Sequence, residues 1–584
     1  MAVVVTAVSG YDLGYVWKGQ GAAVAPERSA GGYYINAAQA GEPPGRWWGP
    51  GAEALGFAAG QVVEREPYEK VYRQVHPVTG QKMGRAPGSY DQFADVLLRL
   101  KAAEPHATAE RLVELEREAA QQARQAPAYT DMTVSFSKSI SVFHASIRES
   151  ERRARLAGDQ EAAAYWAGAE RRYQEVVQAA NRAGLEYVQR WAGITRTGYH
   201  GARVNGQELG RFEEALITVS SWLQGTSRDG DPQDHIHNQI ARIVETVRDG
   251  KHRALDTATL RQVLAAVQAI VATHAECGLS REFGVAWVPR RDGIGNEIAG
   301  VTQAQMDRYS SRAAAIAEEL PNAAAAWAAK YGREPSQREL LFIQNEVTLT
   351  TRRGKADGAI DWAALCASWE ARWDAQWGPD LASVASRISA LRGPGHAEQA
   401  RGSGAGPERA ELIRAAQQAL AVVQMKHSTW TRSDFLKELG YVLPVQTRNL
   451  DPAAAVRLLE ELADQALAGE VEPVVCLEAP EWPPLPGYLR RELDGRSVYT
   501  RPGTARYATR VQLSLEERLL QEAQRHGAPH LDRDQAARLL GAGAAGLEAQ
   551  LHERAQESRT HATGSGLRLD QGAALFHALT SDRT

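Results

Sequence analysis

Residues 215–247 read ALITVSSWLQGTSRDGDPQDHIHNQIARIVETV, and the fold class turns on them. Residues 215–223 and 235–247 are rich in Ile, Val and Thr, the composition of strands. Between them lie Gly225, Asp229, Gly230 and Pro232, the residues of a polar turn. The two runs therefore read as a hairpin-like antiparallel pair. Alternate strand residues share a face, so His235 and His237 project together while Ile236 points the other way. Two imidazoles side by side offer a divalent cation two ligands, and the third position, across the pair, falls near Gln224. Taken alone the H-x-H pattern is weak, since most such pairs are surface or hydrogen-bonded histidines.

A chain of 584 residues has room for several domains, each with its own core. With 43% hydrophobic and 24% charged residues it has the composition of an ordinary globular protein, which argues against wholesale disorder. The net charge of -4 excludes a uniformly basic coat, although a nucleic-acid cleft needs only a local basic surface. Cys277, Cys366 and Cys476 are far apart and form no CxxC pair, so neither a disulfide framework nor a zinc ribbon is expected. The N-terminal MAVVVTAVSGYDLGY lacks a basic leader, and no segment reads as the roughly 20 apolar residues of a membrane span. A soluble, cytoplasmic protein is the expectation.

Taken in order, residues 2–8 read as a strand, followed by Tyr11 and Tyr15, then by Tyr33 and Tyr34 and the segment GRWWGPGAEALG at 45–56. Tyrosines close to a strand end are ordinarily packing residues with a wet hydroxyl. Residues 91–125 have helical apolar spacing. Residues 129–147 alternate as a strand through Met132, Val134 and Phe136, then pass Lys138 into a helix. By themselves Asp131 is a strand-edge turn residue and Lys138 a solvated charge. Residues 147–191 form a long charged helical stretch broken near Gly158 and Asp159, with solvated, paired faces. The order of elements predicts an α+β fold, an antiparallel-sheet palm with helices on one face, followed by mostly helical C-terminal domains. Residues 257–277 read as an amphipathic helix, and 283–289 and 296–301 as strands.

Thr226, Ser227, Arg228, Asp231, Pro232, His235 and His237, with GRWWGPGAEALG and the SKS at 137–139, resemble the motifs of HUH relaxases of the conjugative TrwC/TraI (MOBF) type. The resemblance implies an HUH palm in which three ligands hold one cation. Here they are His235, His237 and, where the family has its first histidine, Gln224. A carboxamide is a weaker ligand than imidazole for most first-row metals but is acceptable to Mg2+ or Mn2+, the cations expected, with other first-row metals as alternatives. It further implies DNA transesterification by a tyrosine, giving a 5'-phosphotyrosine and a free 3'-hydroxyl. Tyr15 is the first candidate nucleophile, Tyr11 the reserve, and Tyr33 or Tyr34 would serve a second strand transfer. By the same resemblance Asp131 stands beside the nucleophile, Lys138 and Arg228 near phosphates, and Thr226 and Ser227 in the DNA-binding motif. Trp47 and Trp48 are candidates for base stacking, with core packing the alternative. The implied partners are single-stranded or hairpin origin DNA, relaxosome accessory proteins, a coupling protein and a separate helicase, without membrane insertion.

The relaxase-like portion is expected over 1–302, a helical extension over 303–391, a Gly-rich linker over 392–408, and an α-rich, winged-helix-like region over 409–584. Trp362, Trp369, Trp373 and Trp377 fall at helical spacings and read as core. Asp451 before Pro452 reads as a helix N-cap closed by Gly469, and Ser514 with Glu517 as a capping box. Residues 567–579 resemble the Gln-containing opening motif of RecD-type helicases, but no G-x-x-x-x-G-K-[ST] occurs in the chain. The expectation is a relaxase truncated before its motor, without ATP hydrolysis. The competing readings are a catalytically impaired origin-binding scaffold, favoured by Gln224, and an HUH replication initiator or transposase.

Overall fold

A computed structural model describes residues 1–9, 42–84, 93–105, 107–122, 127–198, 203–204, 207–208, 210–351, 361–390, 406–478, 485–527, 529–539, 578 and 580–581. The chain forms two compact units, one of residues 1–472 with 476–507, the other of residues 473–475 with 508–584.

In chain order the first strands of the first unit are β1 (Ala2–Ser9), β2 (Arg46–Trp48), β3 (Pro127–Ser135), β4 (Ile194–Thr197), β5 (Arg203–Val204), β6 (Gln207–Glu208), β7 (Arg211–Leu216), β8 (Val219–Thr226), β9 (Pro232–Ala241), β10 (Ile243–Thr246) and β11 (His252–Ala254). Five of them make a wholly antiparallel sheet in the order β1-β3-β9-β8-β2, the sheet of an α+β fold. A second sheet runs β11-β10-β7-β4. Residues 215–223 and 235–247 are thus not two continuous strands. The first run passes from the second sheet into the first around Ile217-Thr218, and the other leaves the first for the second around Arg242. Local composition cannot show this, because both sides of each bend are β-branched and apolar.

The first bend explains the glycines of GRWWGPGAEALG. Helix α1 (Pro50–Ala54) packs its start on the bend, Gly51 N–H donating to Ile217 O at 2.9 Å. Gly49 has φ +92°, and a Cβ there would lie 2.5 Å from Ile217 O. Only glycine allows that approach.

Helix α2 is Arg65–Tyr72, and residues 91–125 yield two helices, α3 (Phe93–Ala103) and α4 (Ala109–Gln122). The long charged stretch is two helices as well, α5 (Lys138–Leu156) and α6 (Gln160–Ala192). They are separated at Gly158 (φ +71°), and Asp159 caps α6 by accepting from Ala162 N–H. With α7 (Thr257–Phe283) they cover the sheet face carrying Met132, Val134, Ile236 and Ile240, all at most 1% exposed. The opposite face is not bare. At its Ser220–Gln239 end Tyr68 and Tyr72 of α2 sit on it, the Tyr68 hydroxyl donating to Gln239 Oε1 at 2.9 Å and the Tyr72 hydroxyl to Gln239 O at 2.6 Å.

Helix α7 corrects the amphipathic reading: apolar residues are buried all round it, Leu260, Ala269, Ile270, Ala275 and Leu279 among them. By length and composition it is apolar enough to cross a membrane, yet it is a mostly buried helix of this fold. After the hairpin β12 (Trp287–Pro289) and β13 (Asn296–Ile298), the extension comprises α8 (Gln303–Arg308), α9 (Ser311–Tyr331), α10 (Gln337–Thr350), α11 (Trp362–Ala371) and α12 (Ser383–Ala390).

The helices α13 (Arg409–Lys426), α14 (Arg432–Val442) and α15 (Pro452–Leu467) belong to the same compact unit, where a domain boundary at 392–408 was expected. The last two lie on α7, and α13 packs against α14: Ala266 N–H donates to Ser433 Oγ at 3.0 Å, and Arg448, between α14 and α15, pairs with Glu276 at 2.8 Å with both side chains buried. Asp451 caps α15 as read, accepting from Ala453 and Ala454. In the second unit α16 (Arg510–Ala523) starts at Thr509, not at Ser514, and is followed by α17 (Arg533–Leu539). Cys277 and Cys366 are buried and Cys476 is exposed, none in a disulfide.

Candidate functional site

Strand register decides which side chains meet. In β9 His235 stands opposite Gln224 of β8 on one side and Ser135 of β3 on the other, and His237 stands between Trp222 and Thr133. Directly paired antiparallel residues share a face, so Gln224, His235 and His237 project together as read from the sequence. The imidazole centroids are 5.0 Å apart and the rings inclined at 74°. Nδ1 of His237 donates to Asp131 Oδ2 at 2.7 Å, with Thr133 Oγ1 at 3.1 Å, and Nδ1 of His235 donates to Gln233 O at 2.9 Å. Fixing the proton on Nδ1 in both rings makes Nε2 the ligand-capable nitrogen.

Two buried polar atoms beside this pair have no hydrogen-bond partner, Nε2 of Gln224 and Oδ1 of Asp131. Leaving such groups unsatisfied is costly. A half-turn of the Gln224 amide puts its oxygen where the nitrogen stands, so two imidazoles and a carboxamide fit a single divalent cation. Among the described residues no group of three or more His, Cys, Asp or Glu side chains is arranged to hold an ion.

The turn between β8 and β9 is built by its own side chains. Ser227 Oγ accepts from the Asp229 and Asp231 N–H groups, each at 3.2 Å, and Gly230 takes φ +76°. Thr226 is buried and Arg228 exposed. Asp231 receives Arg372 at 2.7 Å and Ser311 N–H at 2.8 Å, while Trp369 donates its indole N–H to Gly230 O at 2.7 Å. Lys138, read as a solvated charge or a phosphate contact, donates to Pro232 O at 2.8 Å, and burial pushes its ammonium down to about 8. Trp47 is fully buried and stacked on Phe57 at 4.5 Å, which puts it in the core rather than under a base. Trp48 is half-buried with the Arg182 guanidinium 5.0 Å over its ring. Tyr11, Tyr15, Tyr33 and Tyr34 lie outside the described residues.

A buried polar circuit behind the pair escaped the sequence reading. Asp234, on the face away from His235, accepts from the Tyr173 hydroxyl at 2.5 Å and from His144 Nδ1 at 2.9 Å. His144 Nε2 meets Glu170 at 2.7 Å, Glu170 accepts from Arg148 Nε at 3.0 Å, and Arg148 lies 4.0 Å from Glu42. Glu42 in turn accepts from Gly225 N–H at 2.9 Å. The contacts run from the neighbour of His235 to the neighbour of Gln224. Burial alone would lower His144, but the Asp234 and Glu170 carboxylates outweigh it and bring the imidazole up to about 9. Burial pushes Glu42 up to about 7. The available signal was Asp234 itself, an acidic residue on the strand face shared with Ile236 and Ile240, which requires buried partners.

A TrwC relaxase family model matches residues 14–376. A search of curated proteins returns no match. Among solved structures the chain is similar to the conjugative relaxase TrwC in complex with mutant oriT DNA, at 19% identity and a TM-score of 0.41 over 65% of this chain and 99% of that one. It is also similar to a metal-bound TrwC complex with oriT DNA (19%, TM-score 0.40, 66% and 98%) and to a copper-bound one (20%, TM-score 0.40, 64% and 97%).

Proposed function

The chain belongs to the TrwC relaxase family, and from that premise we propose that it is a metal-dependent, site- and strand-specific DNA nickase and strand transferase acting at a conjugative transfer origin. The observation that carries the proposal is the register that sets Gln224 across from His235 and beside a His237 whose Nδ1 is held by Asp131. His235, His237 and Gln224 would hold Mg2+ or Mn2+, or another first-row ion, which when bound would draw charge from the scissile phosphate oxygens.

The chain's own groups would do the rest. The Tyr15 oxygen, with Tyr11 in reserve, attacks phosphorus as its proton leaves, the bond to the 3'-oxygen breaks, and a 5'-phosphotyrosine and a 3'-hydroxyl result. Tyr33 or Tyr34 would repeat the exchange on a second strand. A phenol with a pKa near 10 needs a proton acceptor, and the unpartnered Oδ1 of Asp131 offers one while Oδ2 orients His237. Arg228 would steady a neighbouring phosphate. Origin DNA, relaxosome proteins, a coupling protein and a separate helicase are the partners of this reading, a cytoplasmic location its setting. ATP hydrolysis is not expected of a sequence without a phosphate-binding G-x-x-x-x-G-K-[ST].

The test is incubation of the chain with Mn2+ or Mg2+ and a labelled origin oligonucleotide. A slow-migrating covalent adduct that disappears in Tyr15→Phe supports the nickase. DNA binding without adduct at any cation supports the second reading, a non-catalytic origin-binding scaffold. The carboxamide at Gln224 is the observation that favours it.

A further inference from the structure

The four tryptophans read as one helical core series divide into two pairs. Trp369 is buried at 1% exposure and Trp362 packs against it, with the Arg148 guanidinium 4.1 Å over the Trp362 ring. Trp373 and Trp377, which follow α11, instead line an open cleft of about 390 Å³ with Arg308 and Arg372. The two rings stand nearly perpendicular at 5.4 Å, and the Trp373 N–H is already taken by Gly378 O at 3.1 Å, which fixes the ring. The acidic side chain of the cleft, Asp374, is turned to its own turn, where it accepts from Gln376 N–H at 3.0 Å and from the Gln376 amide at 2.8 Å. Arg308 is exposed at the rim, its Nε held by Arg372 O at 3.0 Å, and no carboxylate among the described residues pairs with it.

Half-buried indole faces beside an arginine not paired with an acid are the chemistry that takes unpaired bases and their phosphates, and the cleft has the volume of a nucleotide-scale ligand. The cleft is also tied to the paired strands. Arg372 holds Asp231, and the helix before it holds Gly230, both in the turn joining the strands of Gln224 and His235. Resting on the relaxase reading, we propose that this cleft seats unpaired nucleotides of the single-stranded DNA on which the chain acts, Trp373 and Trp377 stacking bases and Arg308 contacting a phosphate.

The experiment measures binding of a labelled oligothymidylate to the full chain in chelator, where no strand transfer occurs, across a range of salt. Trp373→Ala with Trp377→Ala is expected to weaken binding about tenfold or more. Arg308→Ala is expected to reduce the log–log salt slope by about 0.7. Because Arg308 is exposed, Arg308→Glu tests the seat without touching the core, and it too is expected to weaken binding. Unchanged affinity and slope in the arginine variants, with wild-type chain still forming the covalent adduct on origin DNA, overturns the cleft and leaves the relaxase reading standing. Wild-type chain that forms neither complex nor adduct overturns both.

Discussion

Asp131 reaches from its own strand to the Nδ1 of His237, so its loss should be felt at the imidazole before it is felt in the fold. Asp131→Ala is expected to lower Mn2+ affinity about 10–100-fold, read by calorimetric titration. Gln224→His should tighten the same titration, since imidazole is the better donor for a first-row ion; an unchanged affinity would show that residue 224 does not face the cation. His144 makes a prediction in pH. Its folded pKa, about 9, is raised above the ordinary 6.5, so the stability it contributes is complete below about 6.5 and is lost as pH rises through 9. Urea midpoints at pH 6 and pH 9.5 should therefore differ more in the wild type than in His144→Leu. The contrast also shows what a sequence can disclose. His235 and His237 are legible because a period of two is local, whereas His144, the partner of Asp234, is 90 residues away on a helix, beyond the reach of any local period.

At the scale of elements, the crossing of α6 and α7 depends on two residues without side chains. A Cβ on Gly184 would lie 2.6 Å from Val271, and one on Gly278 would lie 2.7 Å from Val176. Gly184→Ala is expected to cost about 1–3 kcal/mol, because the packed valines must give way before the helices separate. Denaturant unfolding measures it. The sequence marks both helices but not their crossing, since glycine in a helix is locally unfavourable and its reason lies on the other helix. The same holds for the strands. Their β-branched runs announce β structure at 215–247, but the bend that moves the first run between sheets is where Gly49 and Gly51 lodge against Ile217, more than 150 residues away in the chain.

For the molecule as a whole, the extent of the first unit follows from the burial of α7. A helix apolar all round needs cover on every side, and part of that cover comes from beyond the segment read as a linker, through α14, α15 and the buried Arg448–Glu276 pair. A chain ending at residue 391 is expected to have a lower melting temperature and to bind a hydrophobic dye, and co-expression of residues 406–507 should reverse both. The composition shift at 392–408 says nothing of these contacts, because glycine content reports local chain stiffness and not which surfaces meet. The circuit from Asp234 through His144, Glu170 and Arg148 to Glu42 has its own bearing on engineering. A designer who transplants only the two histidine-bearing ribbons into another scaffold leaves their foundations behind. Such a graft would carry the right ligands on an unanchored floor, and a working one must import contributions from three distant stretches of the polypeptide together.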